Sequence, residues 1–168
     1  ATIKDDGTGS LFSVNNTTGT ADAAGSQSDV AALDNDVVVA AVINDVTVNE
    51  NSPYVMFVVD GAYGLPAILT LSSATGTGNA KIGATDDGVN DVSSAMEYWN
   101  GSAWVAYTNG SVVNIPATAD LLVRVALFDQ ENYEGPETFT LTVTDANGRL
   151  RGAGTATIKD DGTGSVFL

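Results

Sequence analysis

The 168-residue chain contains no cysteine and no histidine. Without Cys there are no disulfides, thiolate nucleophiles or iron–sulfur clusters. Without His, the usual general base at neutral pH and the commonest ligand for zinc or copper are missing. Basic residues are scarce too. Six Lys and Arg stand against 21 Asp and Glu, a formal net charge of −15. A surface this acidic repels phosphate backbones and anionic headgroups, so neither nucleic acid nor membrane is an expected partner. It attracts cations instead. No signal peptide and no apolar run of ~18 residues is read, so no segment is expected to span a membrane.

What remains is a chain with 43% apolar residues, ordinary for a globular domain, and only 16% charged ones. The polar remainder is mostly Gly, Thr, Ser and Asn, which form turns and strand surfaces. Together with the missing Cys, this points to an extracellular bacterial β-domain built without disulfide staples.

The two ends of the chain match. Residues 1–12 read ATIKDDGTGSLF and residues 156–167 read ATIKDDGTGSVF, differing only at Leu11 and Val166. Chance does not produce such a match, so the chain reads as one full period of a tandem array of whole domains. Residues 1–12 are then the end segment of a preceding repeat. Residues 13–36 are small, polar and aperiodic, an extended connector, and residues 37–168 form the ordered domain with its joining tail.

Within that domain the apolar spacing is two rather than 3.6. Leu121, Val123, Val125 and Leu127 alternate with Leu122, Arg124 and Ala126, and Phe139, Leu141 and Val143 alternate with threonines. Further strand candidates are 46–50, 54–59, 67–71, 96–99, 104–107, 112–115 and 154–158. Asn100-Gly101, Asn109-Gly110 and Asn147-Gly148 are tight-turn signals, since both residue types tolerate positive φ. No segment carries a convincing amphipathic helix. About seven short strands with frequent turns predict an all-β, immunoglobulin-like two-sheet antiparallel sandwich.

Three acidic groups stand out. Asp129, Glu131, Glu134 and Glu137 lie between two strong strands; Asp160-Asp161-Gly162 and its twin Asp5-Asp6-Gly7 follow the last strand motif; and Asp86-Asp87-Gly88 occupies a Gly-rich loop. Glu50 ends an early strand as an outlying member. Alternate loops of a sandwich gather at one end, so these groups would meet and repel. Calcium, which takes six to eight oxygens in flexible geometry, would remove that repulsion, and magnesium fits loop carboxylates less well. The bland alternative is a solvated acidic surface. There is no EF-hand loop, because Asp34-Asn35-Asp36 lacks the later Gly and Glu, and no Gly-rich nonapeptide of a calcium β-roll.

The order of these features resembles the Calx-β domain, in the form found as tandem repeats of large RTX-type bacterial adhesins. The residues that carry the resemblance are VTVNENSPYVMFVV (46–59), LTLS (69–72), EYWNGSAWVAY (97–107), LLVRV (121–125), DQENYEGPETFTLTV (129–143) and GTATIKDDG (154–162). It implies a seven-stranded sandwich with calcium at one end. The family's ligands fall on Glu50, Asp129, Glu134, Glu137, Asp160 and Asp161, with Asp86 and Asp87 near a central-loop ligand. The chain has Asp129-Gln130 where the family often has two acids, and Asp160-Asp161-Gly162 where it has three. Both departures remove a charge, so one or two ions are expected rather than a larger cluster.

Other features have simpler explanations. Trp99 and Trp104 flank the Asn-Gly turn and would suit sugar stacking, but cross-strand packing is the commoner role of such pairs. Glu131, Glu134 and Glu137 lie in one loop with no second carboxylate identified across a cleft, unlike a glycosidase pair. No nucleophile elbow or P-loop exists. Nor does any spacing of Lys4, Lys81 and Lys159 support an isopeptide staple. Two functions of different class stay open: a calcium-stiffened extender repeat of a secreted cell-surface adhesin, or a repeat with its own carbohydrate- or protein-binding surface. A hydrolase is a distant third. The expected partners are neighbouring repeats of the same chain, and the isolated chain is expected to be a monomer.

Overall fold

The structure, a computed structural model, describes residues 17–18, 39–131 and 133–168. The chain divides into units Ala1–Val38 and Val39–Leu168. In the first, only Thr17 and Thr18 are described. The expectations for the end segment 1–12 with Asp5 and Asp6, for the connector 13–36 and for Asp34-Asn35-Asp36 therefore fall outside the described residues, those two threonines apart.

The second unit is all-β. Its strands are β1 (Ala41–Ile43), β2 (Val46–Asn49), β3 (Tyr54–Gly61), β4 (Pro66–Ser72), β5 (Ile82–Gly83) and β6 (Val92–Trp99). They continue with β7 (Trp104–Tyr107), β8 (Val113–Asn114), β9 (Leu121–Leu127), β10 (Glu137–Thr144) and β11 (Leu150–Lys159). Every segment expected from alternation carries a strand. The short β1 and β5 are additions, too brief for a period of two to register. One sheet runs β1-β3-β9-β6-β5 with β7 also on β6, and the other runs β2-β11-β10-β4-β8. The two sheets make a sandwich of the immunoglobulin-like class.

Pairing is antiparallel except at β5–β6 and β2–β11. The second exception arises because the chain crosses from one sheet to the other between β1 and β2. Two short polar side chains make that crossing. Asn44 Oδ1 accepts from Val58 N–H at 2.6 Å on one sheet, and Asp45 Oδ1 accepts from Thr155 N–H at 2.8 Å on the other. Each satisfies a backbone donor beside the crossing. The crossing also demands glycine. A Cβ on Gly154 would stand 2.5 Å from the Ile43 side chain and 2.6 Å from the Asn44 carbonyl, so only Gly lets β1 pass this close to β11.

The core follows the alternation. β9 buries every second residue from Leu121 to Leu127, and β10 buries Phe139, Leu141 and Val143 while its threonines stay half-buried on the other face. Phe57 on β3 and Phe139 on β10 meet edge-to-face at 5.8 Å and are both buried, joining the two sheets at the centre. Burying such a ring contributes about 1.5–3 kcal/mol. Tyr107 adds a polar tie. Its hydroxyl accepts from Leu69 N–H at 3.0 Å and donates to the Ser111 carbonyl at 2.6 Å, linking β7 to β4 of the opposite sheet.

At the β10–β11 hairpin, buried Asp145 takes hydrogen bonds from Asn147 N–H at 2.8 Å, Arg149 N–H at 2.9 Å and Arg149 Nε at 2.9 Å. These donors, the Arg149 backbone first, hold its carboxyl below the ordinary aspartate value.

Candidate metal centre

The topology brings acids to one end of the sandwich. Because β2 runs parallel to β11 with Asn49 opposite Lys159, the two strands end side by side. Glu50 N–H donates to the Lys159 carbonyl at 3.0 Å, so Glu50 and Asp160 leave as neighbours. β10 starts at Glu137, opposite Ile158 of β11. On the other sheet β9 ends at Leu127, opposite Val92 of β6, which places Asp91 beside the start of the 128–136 loop. Five strand ends from two sheets thus converge.

Asp91, Glu134 and Glu137 each place a carboxylate oxygen within 4.8 Å of the others. Asp91 is only 4% exposed. Its Oδ2 accepts from Lys81 N–H at 2.6 Å, and its Oδ1 accepts from Gln130 Nε2 at 2.9 Å. Glu50 makes a second lobe with Asp160 and Asp129 close by. Two contacts tie the lobes together. Gln130 N–H donates to Glu50 Oε1 at 3.1 Å while its side chain reaches Asp91, and Glu134 N–H donates to Asp160 Oδ2 at 2.8 Å.

Burial and like charge act together here. Desolvation, a hydrogen bond with the Asp160 carboxyl and the charges of Asp160 and Asp129 push Glu50 from an ordinary 4.5 up to about 7. Desolvation, a hydrogen bond with Asp91 and the charges of Asp91 and Glu134 push Glu137 up to about 7, with Lys81 opposing. In both cases burial and the neighbouring carboxylates favour the protonated form. A group of oxygens this close, with excess negative charge, is one that could hold a metal ion. The donor set is all oxygen, which suits a hard cation. A cleft of about 320 Å³ lined by Gly78, Asn79, Lys81, Tyr133, Glu134 and Glu137 opens alongside.

Of the residues picked out in the sequence, Glu50, Asp129, Glu134, Glu137 and Asp160 come together here. Asp161 engages its own turn, accepting from Thr163 N–H at 2.9 Å and from the Thr163 hydroxyl, with Lys159 Nζ at 3.9 Å. Thr163 hydrogen bonds hold its carboxyl below the ordinary value. Asp86 and Asp87 are exposed, and Asp87 caps its loop by accepting from Val89 and Asn90 N–H, each at 3.0 Å.

Sequence reading missed Asp91. In DDGVND it looks like the tail of a Gly-rich turn, and only its pairing fixes it: Asp91 N–H donates to Lys81 O at 2.9 Å, ahead of the parallel β5–β6 pair. Ser93 and Ser94 interrupt the apolar alternation just after it, so nothing in the sequence marks Asp91 as the head of a strand. Gln130, which stands where a second acid was expected, supplies the amide donors that join the two lobes.

The tryptophan hairpin has a different character. Trp99 and Trp104 meet edge-to-face at 5.6 Å. The Arg124 guanidinium sits 4.4 Å from the Trp104 ring centre and 4.2 Å from that of Tyr54, and Nε lies 2.6 Å from Glu97 Oε2. A ring face that would stack on a sugar is covered by arginine.

No family model matches the chain, and no curated protein matches it. Among solved structures it is similar to one described as "Crystal structure of Apo-form Calx CBD1 domain", with 17% sequence identity and a TM-score of 0.40 over 72% of this chain and 97% of that one.

Proposed function

We propose that this chain is a calcium-binding structural repeat: an extender module of a large secreted bacterial surface adhesin, without enzymatic activity. The observation that carries the calcium assignment is the convergence of Asp91, Glu134 and Glu137 within 4.8 Å, coupled through Gln130 to Glu50 and Asp160. Glu50, Asp91, Glu134, Glu137, Asp160 and Asp129 supply the oxygens. Bound calcium supplies charge neutralisation at these carboxylates. Gln130 and the Glu134 N–H keep the two lobes together, and Lys81 N–H orients Asp91.

The extender role is supported by the near-identical segments at residues 1–12 and 156–167, the signature of tandem domains. Asp160 follows the last strand directly, so an ion held there stiffens the exit toward the next repeat. A chain carrying −15 charge self-repels until it reaches calcium outside the cell. Its partners are neighbouring repeats of the same chain rather than nucleic acid or membrane, and the isolated chain is a monomer. A separate sugar-binding role for the hairpin gains no support, since Arg124 covers Trp104.

Calorimetric titration of calcium into the intact chain tests the site: one or two ions should bind, and no heat of binding at any calcium concentration up to millimolar refutes it. Small-angle scattering of several linked repeats tests the extender role. Their length should shorten and their rigidity fall on chelation, and an unchanged profile removes calcium as a brace.

A further inference from the structure

β2 is an edge strand, paired on one side with β11. Its other edge is covered by the end of the chain. Ser165 bridges Val48 in parallel register; Ser165 N–H donates to Thr47 O at 3.1 Å, and Asn49 N–H donates to Ser165 O at 2.9 Å. Asn49 Nδ2 also donates to Thr163 O at 3.2 Å. Two residues on, Phe167 bridges Tyr54, packs against the core and donates its N–H to the buried Ser52 Oγ at 2.8 Å. The segment is thus an added partial strand read by backbone hydrogen bonds, with one aromatic anchor.

Its side-chain requirements are sharp at two positions and lax at a third. Gly164 lies at φ +110, and a Cβ there would stand 2.7 Å from both Asn49 N and Val48 C, backbone atoms that cannot yield. Phe167 fills the anchor position. Val166, by contrast, is 53% exposed. Residues 7–12 read GTGSLF against GTGSVF at 162–167. They keep the glycine (Gly9), the serine (Ser10) and the phenylalanine (Phe12), and the one change, Leu11 for Val166, falls where the side chain faces solvent.

We infer that the outer edge of β2, with Ser52 and the start of β3, is a peptide-docking site for the Gly-Thr-Gly-Ser-Val/Leu-Phe segment. The chain's own tail occupies it, and residues 7–12 of a second copy fit the same site. In an array, each repeat closes its own edge with this segment, and a released tail exchanges for the same segment of another copy.

The test uses the full chain carrying Gly9→Val and Gly164→Val, which disables both internal copies of the segment, with labelled peptide GTGSLF followed by fluorescence anisotropy. The peptide should bind one-to-one. GTVSLF should bind at least tenfold more weakly, and the unsubstituted chain, with its tail in place, should also bind GTGSLF at least tenfold more weakly. The Gly164→Val chain alone should associate in a concentration-dependent way in sedimentation, and Gly9→Val should abolish that association. Folding is monitored by near-ultraviolet dichroism of the Trp99–Trp104 pair; should the valine variant not fold, Phe12→Ala with Phe167→Ala is judged by the same criteria. A folded variant that binds no peptide, or binds GTGSLF and GTVSLF equally, overturns the inference.

Discussion

Two places in this sandwich confine carboxylates, and they deal with the charge in opposite ways. At the β10–β11 hairpin Asp145 is ringed by donors from Asn147 and Arg149, and its carboxyl is held below the ordinary value. At the other end Glu50 and Glu137 face Asp160 and Asp91, and both are pushed up to about 7. The difference lies in the surroundings rather than the residue type: desolvation and neighbouring carboxylates dominate at Glu50 and Glu137, and donors dominate at Asp145. Asp145 completes its own coordination, so it serves the fold alone. The Glu50 and Glu137 lobes are short of positive charge, and that deficit is what a cation would meet.

The sharpest way to break the contrast is to neutralise the deficient end. Glu50→Gln with Glu137→Gln should abolish most of a calcium-induced rise in melting midpoint of roughly 10 °C, while leaving the midpoint in chelator unchanged or higher, because like-charge repulsion has been removed. Thermal melts of both forms in calcium and in chelator read this directly. Asp145→Ala should do the reverse. It strands the Asn147 and Arg149 donors, so it should lower the midpoint by roughly 5 °C in calcium and chelator alike.

A smaller effect comes from pH. Glu50 and Glu137 are raised in the folded state, from 4.5 to about 7, so the native protein holds protons more tightly than the unfolded chain in that window. The stability this adds is fully present below about pH 4.5 and is lost as pH rises through about 7. In chelator the midpoint should therefore fall by a few degrees, roughly 3 °C, between pH 5 and pH 8. Calcium needs the ionised carboxylates, so its affinity should rise over the same interval. Melts at the two pH values, with and without calcium, check both signs. The smallest change is expected at Asp86→Asn. That side chain is exposed in a loop outside the centre, and calcium affinity measured by calorimetry should stay within about twofold.

Much of the architecture was legible because alternation survives where one sheet face is buried. Leu121–Leu127 and the Phe139, Leu141, Val143 series name their own core faces, and the structure buries those residues. β1 and β5 were not legible, since strands of three and two residues owe their existence to partners: Ala41 pairs with Gly61, and Ile82 with Val92. The parallel β2–β11 pair was hidden for the same reason, because a pattern of two says which face is buried but not which neighbour is chosen. At the acidic end, the clusters in Asp129–Glu137 and at Asp160 could be seen as charge at strand ends. Asp91 could not, because its place depends on a bulged β6–β9 register and on hydrogen bonds from Lys81 and Gln130. Nor does charge counting show that Asp161 and Asp87 spend their oxygens on their own turns.

The central claim is that the acidic end is a cation site rather than a solvated surface. Its most direct test is a thermal melt of the unsubstituted chain, first in millimolar calcium and then in excess chelator. An ion that binds only the folded state adds about 2.7 kcal/mol of stability at a hundredfold excess over its Kd, so the midpoint should rise by roughly 10 °C in calcium and return in chelator. Coincident midpoints in the two buffers would contradict the assignment.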